Sequence, residues 1–306
     1  MIMSLYYRMR RKACALLKDH AGVELWSHRL ASPSCLAALR KGFDDSVFPA
    51  VIVEVCSDCN YRCPFCPQSS HRRPSQYMTL SSFEFLVQDL KRHHFNGVVV
   101  LTGNNEPLLH PLLLDFCRLV SDELPAAHAH FTTNGSLLGK DIILALSKIE
   151  HPPSLDVNDY TPKQTVTAKL EKLKEDLPEF EKLQLTLRKR SWDEVKGNRA
   201  GNQPGDQRRA DRYRKIVCTW PFSGLFVTWD LKCVLCCSDY KHEVIMGDLA
   251  TTSFMDVWKS NAYSQIRKSM METQRADIPF CRKCDEEWFV LPDHCQPKKF
   301  LGSREE

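Results

Sequence analysis

The feature that most constrains this chain is a short cysteine loop, Cys59-Asn-Tyr-Arg-Cys63-Pro-Phe-Cys66, set just after an apolar, β-branched run at residues 50–55. The run reads as a buried strand. Three thiolates in C-x₃-C-x₂-C spacing can wrap one face of a compact metal centre, and soft sulfur ligands suit an iron–sulfur cluster or zinc. A [4Fe–4S] cluster ordinarily takes four cysteines, so three leave one iron open. An open metal position is where a substrate or cofactor binds. Cys56 stands ahead of the loop, either as a fourth ligand or as a buried strand residue; the second reading fits the apolar run better.

Composition decides what else such a loop can belong to. The chain has 306 residues and 14 cysteines, too dilute for a small disulfide scaffold. With 43% hydrophobic and 26% charged residues it reads as globular, and a net charge of +4 gives no electrostatic case for nucleic-acid binding. Arg8, Arg10, Arg11 and Lys12 interrupt the apolar N-terminus too early for a signal peptide. No apolar run reaches the roughly 18 residues of a membrane span. The expected location is the cytoplasm, where clustered cysteines serve as metal ligands or catalysts more often than as disulfides.

Strand and helix patterns alternate along the first two thirds. Strands are expected at 50–55, 97–101, 127–132, 154–157 and 182–187, with helices at 80–93, 111–121, 140–148 and 163–176. That alternation argues for βαβ units and a parallel sheet that closes or partly closes into a barrel. Residues 1–49 read as a basic helical extension, and 50–195 as the barrel. Residues 196–217, rich in glycine and arginine, read as a linker. Residues 218–306, where cysteines return, read as a small second domain.

The motif CNYRCPFC, with Phe65 before its last cysteine, resembles the signature of the radical S-adenosylmethionine (SAM) enzymes. The resemblance covers residues from about 50 to 190. It implies a [4Fe–4S] cluster on Cys59, Cys63 and Cys66 whose open iron chelates SAM. One-electron cleavage of SAM then gives a 5′-deoxyadenosyl radical that abstracts hydrogen from substrate. The segment Leu101-Thr-Gly-Asn-Asn-Glu-Pro is similar to the family's Gly-Gly-Glu-Pro turn, with Asn104 and Asn105 in place of glycines and Glu106 retained. Asn tolerates the left-handed backbone such a turn would need. Thr132-Thr-Asn-Gly135 is similar to a stretch near the ribose and carboxylate. The resemblance thus assigns Phe65, Asn105, Glu106, Thr133 and Asn134 to cofactor binding.

The last third resembles the twitch module, a shortened SPASM domain. Its marks here are Cys218 followed by Pro-Phe, a hairpin ending Cys236-Cys237, a Gly-Asp-Leu turn, a tryptophan helix and a closing Cys281-x₂-Cys284. Leu231 departs from the family's usual glycine. The resemblance implies an auxiliary [4Fe–4S] cluster on Cys218, Cys236, Cys281 and Cys284; spacing alone also permits a structural Cys₄ zinc site. The implied fold is α/β, a partial TIM-type (βα)₆ barrel followed by a small α+β auxiliary-cluster domain.

Two clusters imply an oxidoreductase. In the enzymes this chain resembles, an auxiliary cluster can accept the electron left after hydrogen abstraction, turning a secondary alcohol into a ketone. A spare thiol can instead return hydrogen from the opposite face, giving epimerisation, and Cys237 adjoins an expected ligand. Gly197-Asn-Arg199-Ala-Gly-Asn202 resembles a segment preceding the auxiliary domain in related enzymes, which would aim the Arg199 fork at a polar substrate. Asp156, Asn158 and Asp159 are expected to face the same cavity. The expected substrate is a small polar, carbohydrate-like or aminocyclitol alcohol, with a low-potential donor such as flavodoxin or ferredoxin, and no membrane or nucleic-acid partner. The alternatives are a peptide-modifying radical SAM enzyme and, remotely, a zinc-stabilised RNA-binding module using the arginines from Arg208 onward. Cys56, Cys233 and Cys295 carry no assigned role.

Overall fold

The computed structural model describes residues 36–285 apart from 38, 47, 193–196, 205–209, 212, 213 and 215. Most of the expected N-terminal extension, Arg208, Arg209, Arg212 and Cys295 lie outside the described residues.

β1 (Ala50–Val53), β2 (Val98–Val100), β3 (His128–Thr133), β4 (Ser154–Asp159) and β5 (Leu185–Lys189) pair in parallel in chain order. Between them run α1 (Leu80–Arg92), α2 (Leu113–Glu123), α3 (Lys140–Leu146) and α4 (Thr165–Asp176), as parallel pairing demands of its crossovers. Alternation sorts the side chains. Val51, Val53, Val99, Phe131, Leu155 and Val157 are buried in the core with Phe83, Leu86, Phe116 and Ile143 of the helices. Their neighbours Ile52, Val100, His130, Thr132, Asp156 and Asn158 are half-buried on the other face. β5 starts later than the pattern suggested because Pro178–Lys182 forms a 3₁₀ turn instead.

The sixth parallel strand comes from the cysteine-rich third. β6 (Leu225–Val227) pairs with β1, Val51 opposite Leu225 and Val53 opposite Val227. β7 (Lys232–Val234) and β8 (Ile245–Asp248) continue antiparallel. All eight strands form one sheet, β5-β4-β3-β2-β1-β6-β7-β8. The order leaves β5 and β8 as edges, so the barrel is partial, and the sheet runs unbroken across the expected boundary at 217/218.

The hairpin between β6 and β7 forms as expected, and Leu231 takes the left-handed backbone that a glycine would take freely, φ 65°. The conformation costs about 1–2 kcal/mol. Burial of the leucine side chain, 7% exposed, returns about 2 kcal/mol. Residues 247–248 of the expected Gly-Asp-Leu turn end β8, and the turn follows from Leu249. A side chain at Gly247 would meet Val257 Cγ2 at 2.5 Å, so the glycine lets the strand lie against α5 (Phe254–Trp258). Ser253 and Ser260 cap α5 and α6 (Asn261–Met271), and α7 (Pro279–Arg282) carries Cys281. The segment before β1 is stitched to this module: Phe43 packs edge-on against Phe222, Phe48 against Trp258, and Trp258 Nε1 donates to the Asp45 carbonyl at 3.1 Å.

Candidate functional site

The loops at the C-terminal ends of β1 to β4 enclose a cavity of about 230 Å³. Cys59, Cys63, Cys66 and Phe65 line it from the cysteine loop, Asn105 and Glu106 from the loop after β2, Thr133 and Asn134 from the end of β3, and Arg199 from the linker. Every expected cluster-loop, cofactor and arginine position of the barrel therefore meets in one place.

Hydrogen bonds explain why these loops converge. Glu106 is 2% exposed. Its Oε1 accepts from Thr133 Oγ1 at 2.6 Å and Leu108 N at 3.1 Å, and its Oε2 from Asn134 N at 2.8 Å. Oε2 keeps a lone pair for one more donor. Burial pushes its carboxyl above the usual range, against the pull of those three donors. Asn134 Nδ2 donates to Asn60 Oδ1 at 2.8 Å, tying the end of β3 to the cysteine loop. Gly135 turns the chain at φ 73°, where a Cβ would lie 2.6 Å from both Val157 Cγ1 and Val166 Cγ1.

Asn104 and Asn105 behave differently from the expectation. Neither takes a left-handed backbone. Instead Asn105 Oδ1 accepts from Gly103 N at 2.7 Å, closing the turn with a side chain. Asn105 Nδ2 donates to Cys56 Sγ at 3.4 Å. Cys56 is fully buried, and burial pushes its thiol up to about 11, so it packs beneath the loop, as the strand reading had it. Asn104 Nδ2 donates to the Cys237 carbonyl at 2.9 Å.

Arg199 sits in a run of three left-handed residues, Arg199 at φ 48°, Ala200 at 54° and Gly201 at 88°. Two non-glycine residues in that region are costly, and clamps on both sides hold them. Asn198 N donates to Asp285 Oδ1 at 2.6 Å and Asn198 Nδ2 to the Lys283 carbonyl at 2.7 Å. Asn202 Nδ2 donates to the carbonyls of Arg199 and Ser238, both at 3.0 Å. The turn that aims Arg199 is thus anchored beside Cys284 and Cys237.

One expectation is corrected. Asn158 lines the cavity, and Asp156 pairs with Arg188 at 3.1 Å. Asp159 turns the other way, fully buried, and accepts from Thr161 N and Thr167 N at the start of α4. Strand alternation requires this: 156 and 158 share a face, 159 does not. The same alternation places Tyr160 in the cavity wall, 5.2 Å from the Phe65 ring; its signal was present and overlooked.

Also unforeseen is a buried charge network behind Asn104. Glu54, fully buried, pairs with Arg73 and accepts from Asn104 N at 3.1 Å, with His242 Nε2 3.2 Å away. The Arg73 guanidinium lies 4.2 Å from the Tyr240 ring centroid. Burial alone would raise the Glu54 carboxyl, but the His242 hydrogen bond and the Arg73 charge hold it below the usual range.

The thiols test whether this cavity fits a metal cluster. Burial pushes Cys59 up to about 11 and Cys63 up to about 12, and Cys63 is raised further by Cys66 and Cys59. Cys59 and Cys63, two thiols that resist ionisation beside the sulfur of Cys66, need a cationic centre to become thiolates. Cys236 is raised in the same way, first by burial and then by the charges of Cys237, Cys284, Cys281 and Cys218. Among the described residues no three His, Cys, Asp or Glu side chains close to the distances of a single ion, so the fit rests on these two sets of mutually interacting sulfurs. Cys233 is fully buried in β7 and packs in the core. Cys237 is half-buried, next to Cys236. Among the described residues no helix is long and apolar enough to cross a membrane.

Comparison with known proteins bears on both sites. Residues 53–198 match the radical SAM superfamily, and residues 218–285 match SPASM, an iron–sulfur cluster-binding domain. The chain is 27% identical over 248 residues, 79% of its length and 94% of the relative's, to the S-adenosyl-L-methionine-dependent 2-deoxy-scyllo-inosamine dehydrogenase of Niallia circulans. Among solved structures it resembles BtrN in complex with AdoMet and 2-DOIA, with a TM-score of 0.65 and 23% identity over 80% of this chain and 99% of that one. It also resembles native anSMEcpe with bound AdoMet, with a TM-score of 0.54 and 13% identity over 78% of this chain and 89% of that one. At these identities the structural likenesses establish the fold.

Proposed function

This chain is a radical SAM enzyme with a SPASM-type auxiliary domain, its cofactors SAM and iron–sulfur clusters, and from that premise we propose that it oxidises a secondary alcohol on a small aminocyclitol-like ring. The observation that carries the reading is the dehydrogenase relative, matched over 94% of its length. The convergence of the cysteine loop, Glu106, Asn134 and Arg199 on one cavity supports it.

When bound, SAM and the first cluster supply hydrogen-abstracting, one-electron chemistry, and the second cluster an electron acceptor. Cys59, Cys63 and Cys66 would hold the first cluster, beside the part of the cavity that would take SAM. The free lone pair of Glu106 Oε2 takes an ammonium donor, with Asn105, Thr133 and Asn134 beside it, and Phe65 with Tyr160 forms the apolar wall that excludes water. Arg199 offers its fork to the hydroxyls of the substrate ring. Cys218, Cys236, Cys281 and Cys284 hold the auxiliary cluster. Two hydrogens leave the substrate, one as an atom and one as a proton plus an electron. A low-potential protein donor of the flavodoxin or ferredoxin kind supplies the starting electron.

Epimerisation is the second reading. Asn104 lines the cavity and donates to the Cys237 carbonyl, so the backbone of Cys237 adjoins the wall, which supports this reading. The test is anaerobic incubation with SAM, a strong reductant and 2-deoxy-scyllo-inosamine deuterated at its carbinol carbon. Dehydrogenation gives deuterated 5′-deoxyadenosine and a ketone that has lost the deuterium and the hydroxyl hydrogen. A product that has kept its hydroxyl and exchanged its carbinol deuterium for solvent hydrogen would establish epimerisation and give Cys237 the hydrogen-donor role. No turnover of any small alcohol, with turnover of a peptide, would overturn both.

A further inference from the structure

Close to three of the four cysteines of the second site, Cys218, Cys281 and Cys284, lies a charge that the fold could not retain without a reason. Arg275 is 2% exposed. It opens the 3₁₀ turn Arg275–Asp277, just ahead of α7 with its Cys281, and its Nη2 donates to the Cys284 carbonyl at 3.1 Å. Burial works against a guanidinium charge. The sulfurs of Cys284, Cys218 and Cys281 lie within electrostatic reach of it. Arg275 in turn acts electrostatically on the Cys281 sulfur. One buried charge opposes it: Asp239 acts on Cys281 in the other sense, its own carboxylate accepting from Glu243 N and Val244 N at 2.8 Å.

We propose that Arg275 is a positioning residue for electron uptake: a permanent buried cation that raises the reduction potential of the auxiliary cluster. The proposal rests on the assignment of Cys218, Cys236, Cys281 and Cys284 to that cluster. An iron–sulfur cluster on four thiolates is anionic, and burial makes a further electron harder to add. Net charge and hydrogen bonding around the sulfurs set where the potential falls. A guanidinium suits the task because it is weakly hydrated and does not lose its proton. The step it favours is balanced. After the substrate carbon has lost a hydrogen atom and its hydroxyl a proton, one electron passes to the oxidised auxiliary cluster, and the guanidinium gains and loses nothing. The cations described at the first site are placed differently: Arg199 is half-buried in the cavity wall. Arg62 there is exposed, its Nη1 bound to the carbonyls of Cys59 and Tyr61, where water screens it.

The test is a redox titration of the full, anaerobically reconstituted chain followed by electron paramagnetic resonance, with the first cluster as internal control. Arg275→Gln is expected to lower the auxiliary potential by about 59 mV or more, a tenfold change in a one-electron equilibrium, and to leave the first cluster unmoved. Arg275→Lys retains most of the wild-type value, and Asp239→Asn moves it upward. A Gln variant with full iron and an unmoved potential overturns the proposal alone. Loss of auxiliary iron in both Arg275 variants makes Arg275 a packing residue and also overturns it; loss in Gln but not Lys supports the need for charge. About four irons per wild-type chain instead of about eight would overturn the four-cysteine assignment, and this proposal with it.

Discussion

Cys59, Cys63 and Cys66 come from a single loop, whereas Cys218, Cys236, Cys281 and Cys284 are brought together from segments more than sixty residues apart at their extremes. The first three line an open cavity with Glu106 and Arg199. The second four lie among buried neighbours, Arg275 and Asp239 included. A local loop pays little chain entropy to form, while a site closed by distant segments depends on tertiary structure and in turn stabilises it. The first site is therefore built for access, and the second for holding charge away from water.

The largest expected effect separates the two sites by function. Cys63→Ala should abolish 5′-deoxyadenosine formation. Cys281→Ala should leave that cleavage at least partly intact while stopping the completed oxidation. Quantifying 5′-deoxyadenosine and ketone in parallel checks the split, and native-rate cleavage in Cys63→Ala would break the assignment of the first site. Metal removal sharpens the same contrast: Cys281→Ala should lower the melting temperature more than Cys63→Ala, read by anaerobic thermal unfolding.

Next in size are the two buried glutamates of the cavity region, which titrate in opposite senses. Glu54 is held below its ordinary 4.5 despite burial. Its contribution is present above that value and is lost as pH falls through the lower folded-state pKa. Glu106 is raised above 4.5 by burial. Its contribution is full below that value and is lost as pH rises through the raised one. Glu54→Gln should cost about 3 kcal/mol near neutrality by leaving Arg73 buried beside an uncharged amide, and should flatten the acid limb of the stability curve. Glu106→Gln should remove the loss on the rising side instead. Urea unfolding across pH distinguishes them, and equal slopes for both variants would break the pairing.

The contrast between the sites also explains what was legible in the sequence. The cysteine loop, Glu106, Asn134 and Arg199 could be read because each motif is local and its order along the chain is its order around the cavity. Tyr160 and Asp159 were equally available from the two-residue period of β4. The pairing of β6 with β1 was not, since a three-residue strand shows no period and nothing local names its partner. Glu54, Arg73, Tyr240 and His242 stayed hidden for the same reason: their meeting depends on how β6 joins the sheet. Arg275 looked like any arginine near a helix, and only its burial against Cys284 gives it meaning.

The smallest expected effect compares the helix ends of the two regions. α1 and α6 both close with an exposed non-glycine residue in the left-handed conformation, His94 at φ 54° and Thr273 at φ 60°. In each the backbone completes the same cap, with Phe95 N donating to the Leu90 carbonyl at 3.0 Å and Gln274 N to the Ser269 carbonyl at 2.8 Å. Glycine takes that conformation without a Cβ clash, so His94→Gly and Thr273→Gly should each stabilise by up to about 1 kcal/mol, after its greater freedom in the unfolded chain is subtracted. Thr273→Gly should gain more, because a β-branched side chain fits the left-handed region worst. The change lies two residues before Arg275, so a gain from Thr273→Gly with the auxiliary potential unmoved would show that charge, not local stiffness, sets that potential. Denaturant titration of both variants, with the redox titration repeated on Thr273→Gly, decides it.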